Sequence, residues 1–340
     1  MSTTSGGSQQ ESDSSPNGIA NPPVERPPTC ETRAVSARRW RRTAVAAALF
    51  AATAVTGTLA TYAPNAKKIH VEIDPAEINK NVPVDVGIVA DVRDVLQTWR
   101  PSLRKLDLGD WGARIAALKG DSAVRDIQNM PDDGHLYAAH VIHDIWRVTE
   151  GKAIVVTDVG QHQMWEAQYY KHDDDRSLIT SGGLGTMGFA LPAAIGAKVA
   201  RPDAEVWVVV GDGGFQMTMC ELATIAQENI DINIAVINNG FLGMVRQWQE
   251  FFYERRYAAT PMSSPDFVKL TEAFGLTAHR VETRAGVIPA VEAARKHPGT
   301  VLIDFRVEQE DSVFPMVPAG NDLHNMIRRP SAIVETGADA

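Results

Sequence analysis

The chain has 340 residues, 44% of them apolar, and a formal net charge of −9. That is apolar content for about two domains with sizeable cores; the acidic balance, with no basic groove interleaved with aromatics, excludes nucleic acid as the expected partner. Two cysteines, Cys30 and Cys220, exclude a disulfide framework, the histidines lack metal-ligand spacing, and a reducing cytoplasm fits this usage.

Residues 1–66 carry no lysine, six arginines and four acidic residues (Glu11, Asp13, Glu25, Glu31), a net charge of +2 against −11 for the remainder. The first thirty residues are rich in Ser, Gly, Pro and Asn and read as disordered. Arg38-Arg39-Trp40-Arg41-Arg42 then precedes a small and apolar run from Thr43 to Ala60. Paired arginines before an apolar stretch are the pattern of an export signal. The run is mostly Ala and Thr, however, with Leu49, Phe50 and Leu59 as its large apolar residues, and it begins some forty residues in. Export or membrane anchoring by residues 38–60 is therefore not expected, and the cytoplasm is.

From Lys67 the texture changes. Lys68 to Pro75 reads as a strand ending at a turn, Ala76 to Lys80 as a short helical piece, and Val84 to Val92 as a second strand followed by Val95-Leu96. This βαβ-like unit is too short to bury a core alone. Residues 99–134, polar with scattered Trp and Gly, read as a connecting helix and linker.

From His135 strands and helices alternate. A helix from Leu136 to Glu150 leads to the strand Ala153 to Asp158, and a helix from Gly188 to Ala200 to the strand Glu205 to Val210. A helix from Gln216 to Glu228 precedes the strand Ile232 to Ile237. Ser264-Pro265, as N-cap and first helical residue, opens a helix from Asp266 to Phe274. The strand Thr277 to Val281, the helix Gly286 to Lys296 and the strand Thr300 to Val307 complete the unit. Continuous Val/Ile runs mean strands buried on both faces, so an α/β fold is expected, a parallel sheet with helices on each side.

Two strand ends carry chemistry. Gly211-Asp212-Gly213 follows one apolar strand and Asn238-Asn239 the next. A carboxylate and an amide oxygen at neighbouring strand ends can hold a hard divalent cation, whose octahedron substrate phosphates and water complete. The pair reads as a Mg²⁺–diphosphate site at the carboxyl edge of the sheet. Two further segments reach that edge: Val159-Gly160-Gln161-His162 after the first strand, and the glycine-rich turn Ser181 to Gly188 entering a helix.

This spacing resembles the thiamine-diphosphate (TPP) signature. A narrower resemblance, over about residues 55–327, is to the catalytic large subunit of acetolactate (acetohydroxyacid) synthase. It is carried by Asn238 through Gln249 with Phe252-Tyr253-Glu254, by Gly160-Gln161-His162-Gln163-Met164-Trp165, by the Gly183-to-Gly188 turn and by Met316-Val317-Pro318-Ala319-Gly320. Val55-Thr56-Gly57 through Ile78-Asn79-Lys80-Asn81 resembles the end of that family's middle domain.

The resemblance implies roles. Asp212, Asn239 and the backbone carbonyl of Phe241 bind Mg²⁺. Val159, Gly160, Gln161, His162, Gly185, Met187, Gly211, Gly213 and Gly214 line the diphosphate and pyrimidine of TPP. Met217 wedges under the thiazolium and bends the cofactor. Met244 and Trp248 line the 2-ketoacid pocket, Trp248 favouring the larger second acceptor. The implied reaction is decarboxylation of pyruvate on TPP and condensation with pyruvate or 2-ketobutyrate, in branched-chain amino-acid biosynthesis. A homodimer is implied, as is a regulatory small subunit.

The resemblance divides the chain into an unrelated or out-of-frame extension with an Ala-rich run (1–54), a remnant of a middle, FAD-type domain (55–98), a linker (99–134), a TPP/Mg²⁺ domain (135–320) and a tail (321–340). FAD belongs to the complete middle domain, of which the segment to about Asp91 is present, with Ala90-Asp91-Val92 where the family has Gly-Asp-Val. An activating glutamate comes, in that family, from a His-Glu stretch of an N-terminal domain, and none of the nine histidines here precedes Glu. The chain is thus expected to be N-terminally truncated. Two alternatives stand beside a full synthase: a catalytically silent TPP-binding fragment needing a partner chain such as a separate N-terminal half, or another TPP enzyme such as a pyruvate oxidase or decarboxylase.

Overall fold

The computed structural model describes residues 45–47, 58–121, 134–318 and 321–329. The disordered segment, the arginine cluster and most of the apolar run expected near the N-terminus lie outside the described residues. Among the described residues no helix is long and apolar enough to cross a membrane.

A small parallel sheet comes first, in the order β1 (Val45–Ala47), β2 (Lys67–Glu72), β3 (Val86–Val89). β1 falls in the stretch read as an extension, yet pairs with β2 in register Val45 to Lys67. The helical piece expected from Ala76 is a single 3-10 turn, Pro75–Glu77. Asp91 closes the unit by capping α1 (Val92–Trp99): its carboxylate accepts from Arg93 N at 2.7 Å. The connecting helix expected between 99 and 134 is α2 (Trp111–Asp121).

The large sheet has six parallel strands in the order β5-β4-β6-β7-β9-β8. They are β4 (Ile154–Thr157), β5 (Leu178–Thr180), β6 (Val206–Gly211), β7 (Asn233–Asn238), β8 (Thr277–Val281) and β9 (Val301–Arg306). Strand alternation splits each central strand between two cores. Trp207, Val209, Ala235 and Ile237 face helices α3 (Ala138–Thr149), α4 (Gln161–Tyr169) and α10 (Arg284–Lys296). Val208, Val210, Ile234 and Val236 face α5 (Ala190–Ala200), α6 (Asp212–Thr218), α7 (Leu222–Glu228) and α9 (Phe267–Ala273). Full burial of each such aliphatic side chain contributes about 1.5–3 kcal/mol, so β6 and β7 are the rigid centre of the sheet.

Two local expectations are corrected, and one helix is added. The helix expected from Gln216 starts at Asp212 and breaks into a 3-10 turn at Met219–Glu221 before α7, so Gly213 and Gly214 fall in its first turn. The N-cap of α9 is Asp266, whose Oδ1 accepts from Val268 N at 3.1 Å; Ser264 points elsewhere, as described below. The segment after Gly160, to which the sequence assigned no element, is α4.

After β4 the chain crosses to β5 on one side, then returns to β6 on the other. The strand order therefore reverses between β4 and β6, which is where open α/β sheets leave a crevice at their carboxyl ends.

Candidate functional site

β4 runs straight into a buried carboxylate. Asp158 Oδ1 accepts from Val159 N at 2.9 Å and Gly188 N at 3.0 Å, and Oδ2 accepts from Ala190 N at 2.9 Å. It therefore draws the glycine-rich turn and the start of α5 onto the end of β4. Sequence reasoning read Asp158 only as the last strand residue. The available signal was a carboxylate closing an apolar strand, whose burial demands donors.

The glycines are spaces already spoken for. A Cβ on Gly211 would stand 2.9 Å from His162 Nδ1, one on Gly213 2.7 Å from Leu242 Cδ2, and one on Gly214 2.9 Å from the Asp158 carboxyl carbon. Their absent side chains let three strand ends and α6 close together. Gly160, at φ +153° and ψ −160°, holds a backbone conformation that only glycine adopts freely and so turns β4 into α4.

His162 sits under this closure, 6% exposed, with Nε2 buried and without a hydrogen-bond partner. Burial pulls its pKa down from 6.5 to about 4, against the opposing pull of the Asp158 charge, so the ring is neutral at pH 7. An unfolded chain takes up that proton near pH 6.5 and the folded one only near 4, so stability is lost as pH falls through this window. The loss reaches roughly 3 kcal/mol. Urea unfolding of His162→Gln at pH 4.5 and 7 is expected to show that much less acid sensitivity than the parent; equal sensitivity would rule His162 out as the source.

The residues expected to hold a cation follow the next two strands, paired in register Gly211 to Ile237. Asp212 opens α6 at 1% exposure, and burial raises its carboxyl pKa to about 6. Ser264 Oγ donates to Asp212 Oδ2 at 3.3 Å and is itself held by Gln216 Nε2 at 3.1 Å, which is why Ser264 does not cap α9. Asn238 turns away and donates to Asp304 Oδ1 on β9 at 2.9 Å. Asn239, 7% exposed, donates from Nδ2 to Gln161 Oε1 at 3.2 Å, while its Oδ1 accepts from Phe241 N at 3.1 Å. The Phe241 backbone is braced by Leu242 N to Thr260 O and Met262 N to Gly240 O, both 2.8 Å. Among the described residues no three His, Cys, Asp or Glu side chains converge on a metal. One carboxylate with amide and main-chain oxygens fits a hard cation that keeps waters and binds substrate phosphates.

One cavity at the carboxyl edge gathers most of the residues singled out in the sequence. Val159, Gly160, Gln161 and His162 line it from β4 and α4, and Met187 from the turn. Gly211, Asp212, Gly213 and Gly214 line it from β6 and α6, with Asn239, Phe241 and Met244 beyond β7. Three residues stand outside. Gly185 is exposed in the turn, Met217 is 56% exposed on α6, and Trp248 is 39% exposed on α8 (Gly243–Phe252), packed on Phe252 at 5.2 Å. Met244 and Trp248 are nevertheless one turn apart on one face of α8. Asp158, Ser264, Leu242 and Gln247 are the contributors that the sequence did not single out.

A larger hollow, about 540 Å³, opens at the amino edge of the sheet. Its charges are matched among themselves, Arg295 with Glu205 at 2.8 Å and Lys198 with Asp231 at 3.7 Å. None of the strand-end motifs reaches it, so the cavity at the carboxyl edge is the candidate site.

Comparison with known proteins bears on the same residues. The "Thiamine pyrophosphate enzyme, C-terminal TPP binding domain" family matches residues 158–305, and the corresponding central-domain family matches residues 44–99. The acetolactate synthase of Mycobacterium leprae is 46% identical over 278 residues, which are 78% of this chain and 44% of that protein. The acetolactate synthase large subunit of Corynebacterium glutamicum is likewise 46% identical, over 78% of this chain and 44% of that protein. The isozyme 2 large subunit of Escherichia coli is 38% identical, over 82% of this chain and 50% of that protein. The chain thus spans about half the length of the curated relatives it matches.

Proposed function

Because the chain belongs to the thiamine-diphosphate enzyme family, on its acetolactate synthase large-subunit branch, we propose that it holds TPP and Mg²⁺ at the β4/β6 edge for carboligation of 2-ketoacids. The substrates are pyruvate and, as acceptor, pyruvate or 2-ketobutyrate. The observation that carries this is the convergence of the strand-end motifs on one cavity around a buried, unpartnered His162 Nε2.

These residues fit the cofactor. Asp212, Asn239 and the Phe241 carbonyl would hold Mg²⁺, and His162, a lining residue whose buried Nε2 has no hydrogen-bond partner, suits a diphosphate oxygen. When bound, TPP supplies an electron sink for the carbon that loses CO₂. The chain's own part is placement: the glycines at 211, 213 and 214 let His162, Leu242 and Asp158 pack close against the β6 end and α6, and Met187 lines one wall. Met244 and Trp248 offer an apolar face of α8 to the acceptor ketoacid. FAD has no role in this reading.

A second reading, of a TPP-binding chain that needs another protein surface, is favoured by exposure. Leu184 is 95% and Met217 56% exposed beside the cavity, an open side that a second copy, a separately encoded N-terminal half or both would cover. A regulatory small subunit belongs to the same proposal.

Calorimetry with TPP, with and without Mg²⁺, tests the site, and acetolactate formation from pyruvate tests the reaction, with Asp212→Ala as the blank. Mg²⁺-dependent TPP binding and acetolactate formation above the blank are expected. Binding without turnover selects the second reading, and no binding at saturating Mg²⁺ rejects the proposal.

A further inference from the structure

Asn239 presents one oxygen and one nitrogen, and only the oxygen can serve a cation. Which of the two faces the cavity is decided by its neighbours. Asn239 Nδ2 is spent on Gln161 Oε1 at 3.2 Å. Gln161 in turn cannot rotate its amide, because Nε2 donates to Gln247 Oε1 at 2.8 Å and to Asp311 O at 3.1 Å. Gly243, the first residue of α8, leaves room for this pair: a Cβ there would stand 2.7 Å from Asn239 Nδ2.

Gln247 is fully buried and uses all its capacity. Its Oε1 accepts from Gln161 Nε2 and from Val313 N, both at 2.8 Å, and its Nε2 donates to Val313 O and Met316 Sδ, both at 3.2 Å. Val313 offers a backbone N–H and C=O, whose polarity cannot be exchanged. Gln247 therefore sets the direction of the hydrogen bonds at the Val313 end of the relay. The Asp311 carbonyl on Gln161 Nε2 and the Phe241 N–H that donates to Asn239 Oδ1 at 3.1 Å act in the same sense. A packing role alone would be met by Met or Leu without burying an amide.

We propose that Gln247 is a positioning residue for the cation site, fixing Gln161, and through it Asn239, so that the Asn239 oxygen rather than its nitrogen faces the cation. This rests on the reading of the carboxyl edge as a Mg²⁺–TPP site. It also ties that donor to α8, the helix that bears Met244 and Trp248.

The test is the Mg²⁺ midpoint for TPP uptake, by calorimetry at fixed TPP, in the full chain and in Gln247→Met, with thermal midpoints of the ligand-free proteins beside it. Outer-shell partners typically carry 10–100-fold in metal affinity, so a rise in Mg²⁺ midpoint of about that size is expected. On an Asn239→Asp background, where both side-chain ends are oxygens, the same substitution is expected to cause no rise. An unchanged Mg²⁺ midpoint in Gln247→Met, whatever its thermal midpoint, assigns Gln247 to packing and overturns the inference. A rise that persists with Asp at position 239 overturns it too. Should Gln247→Met not fold, Gln161→Met replaces it: a similar rise supports the relay and an unchanged midpoint overturns it. No TPP uptake by the parent chain overturns the site reading and this inference together; uptake by the parent with equal midpoints overturns this inference alone.

Discussion

Asp212→Asn is expected to make the ligand-free chain more stable near pH 8 while abolishing its Mg²⁺-dependent hold on TPP. The carboxyl is 1% exposed, and burial lifts its pKa from 3.8 to about 6. The folded chain thus binds this proton more tightly than the unfolded one. The cost is absent below about pH 3.8, grows as pH rises, and is complete above about 6. It amounts to roughly 3 kcal/mol if the whole shift counts. An amide keeps an acceptor for Ser264 but carries no charge, so the cost disappears. Urea unfolding should show a gain above pH 6 that shrinks towards zero near pH 4, and a destabilised variant at pH 8 would refute the account. His162 acts with the opposite sign over an overlapping window, so the parent's own pH profile is flatter than that of either single variant. On the proposed reading the cost is offset when a cation binds, so removing the carboxylate would exchange function for stability.

How much of this was legible in the sequence depends on the range of the physics involved. The inner strands β4, β6, β7 and β9 were legible because burial on both faces leaves largely apolar runs; the half-exposed edge strand Thr277–Val281 was also read to the residue. The meeting of Asp212 and Asn239 at one cavity was legible because each directly follows an apolar strand, and neighbouring parallel strands set such residues side by side. α4 was not, because its buried face includes Gln161, His162 and Glu166, polar residues that mask the helical period. β5 is a three-residue edge strand, too short for a pattern. The Gln161–Gln247 bond joins residues 86 apart, and Ser264 reaches Asp212 across 52. No local rule predicts such pairings; they exist because the sheet brings its strand ends together.

Asp158→Ala should unfold the site from beneath. The carboxylate is wholly buried and satisfies the N–H groups of Val159, Gly188 and Ala190. Each buried donor left without a partner costs about 1–3 kcal/mol, so three together imply a loss of roughly 3–9 kcal/mol, a large part of a typical domain's 5–15. Asp158→Asn keeps one acceptor oxygen and should lose about half as much. The damage is directional as well: faster amide exchange at Gly188 and Ala190 is expected even where the variant stays folded, with weaker TPP binding because the turn bearing Gly185 and Met187 is released. A loss under about 1 kcal/mol, or unchanged exchange at those two amides, would mean that the turn is held by something else. Gly214 supplies an internal control. Its missing Cβ leaves the space that the Asp158 carboxyl fills, so Gly214→Ala should be costly in the parent and much less so beside Asp158→Ala. That non-additivity would locate the strain at the one contact where β4, α5 and α6 meet.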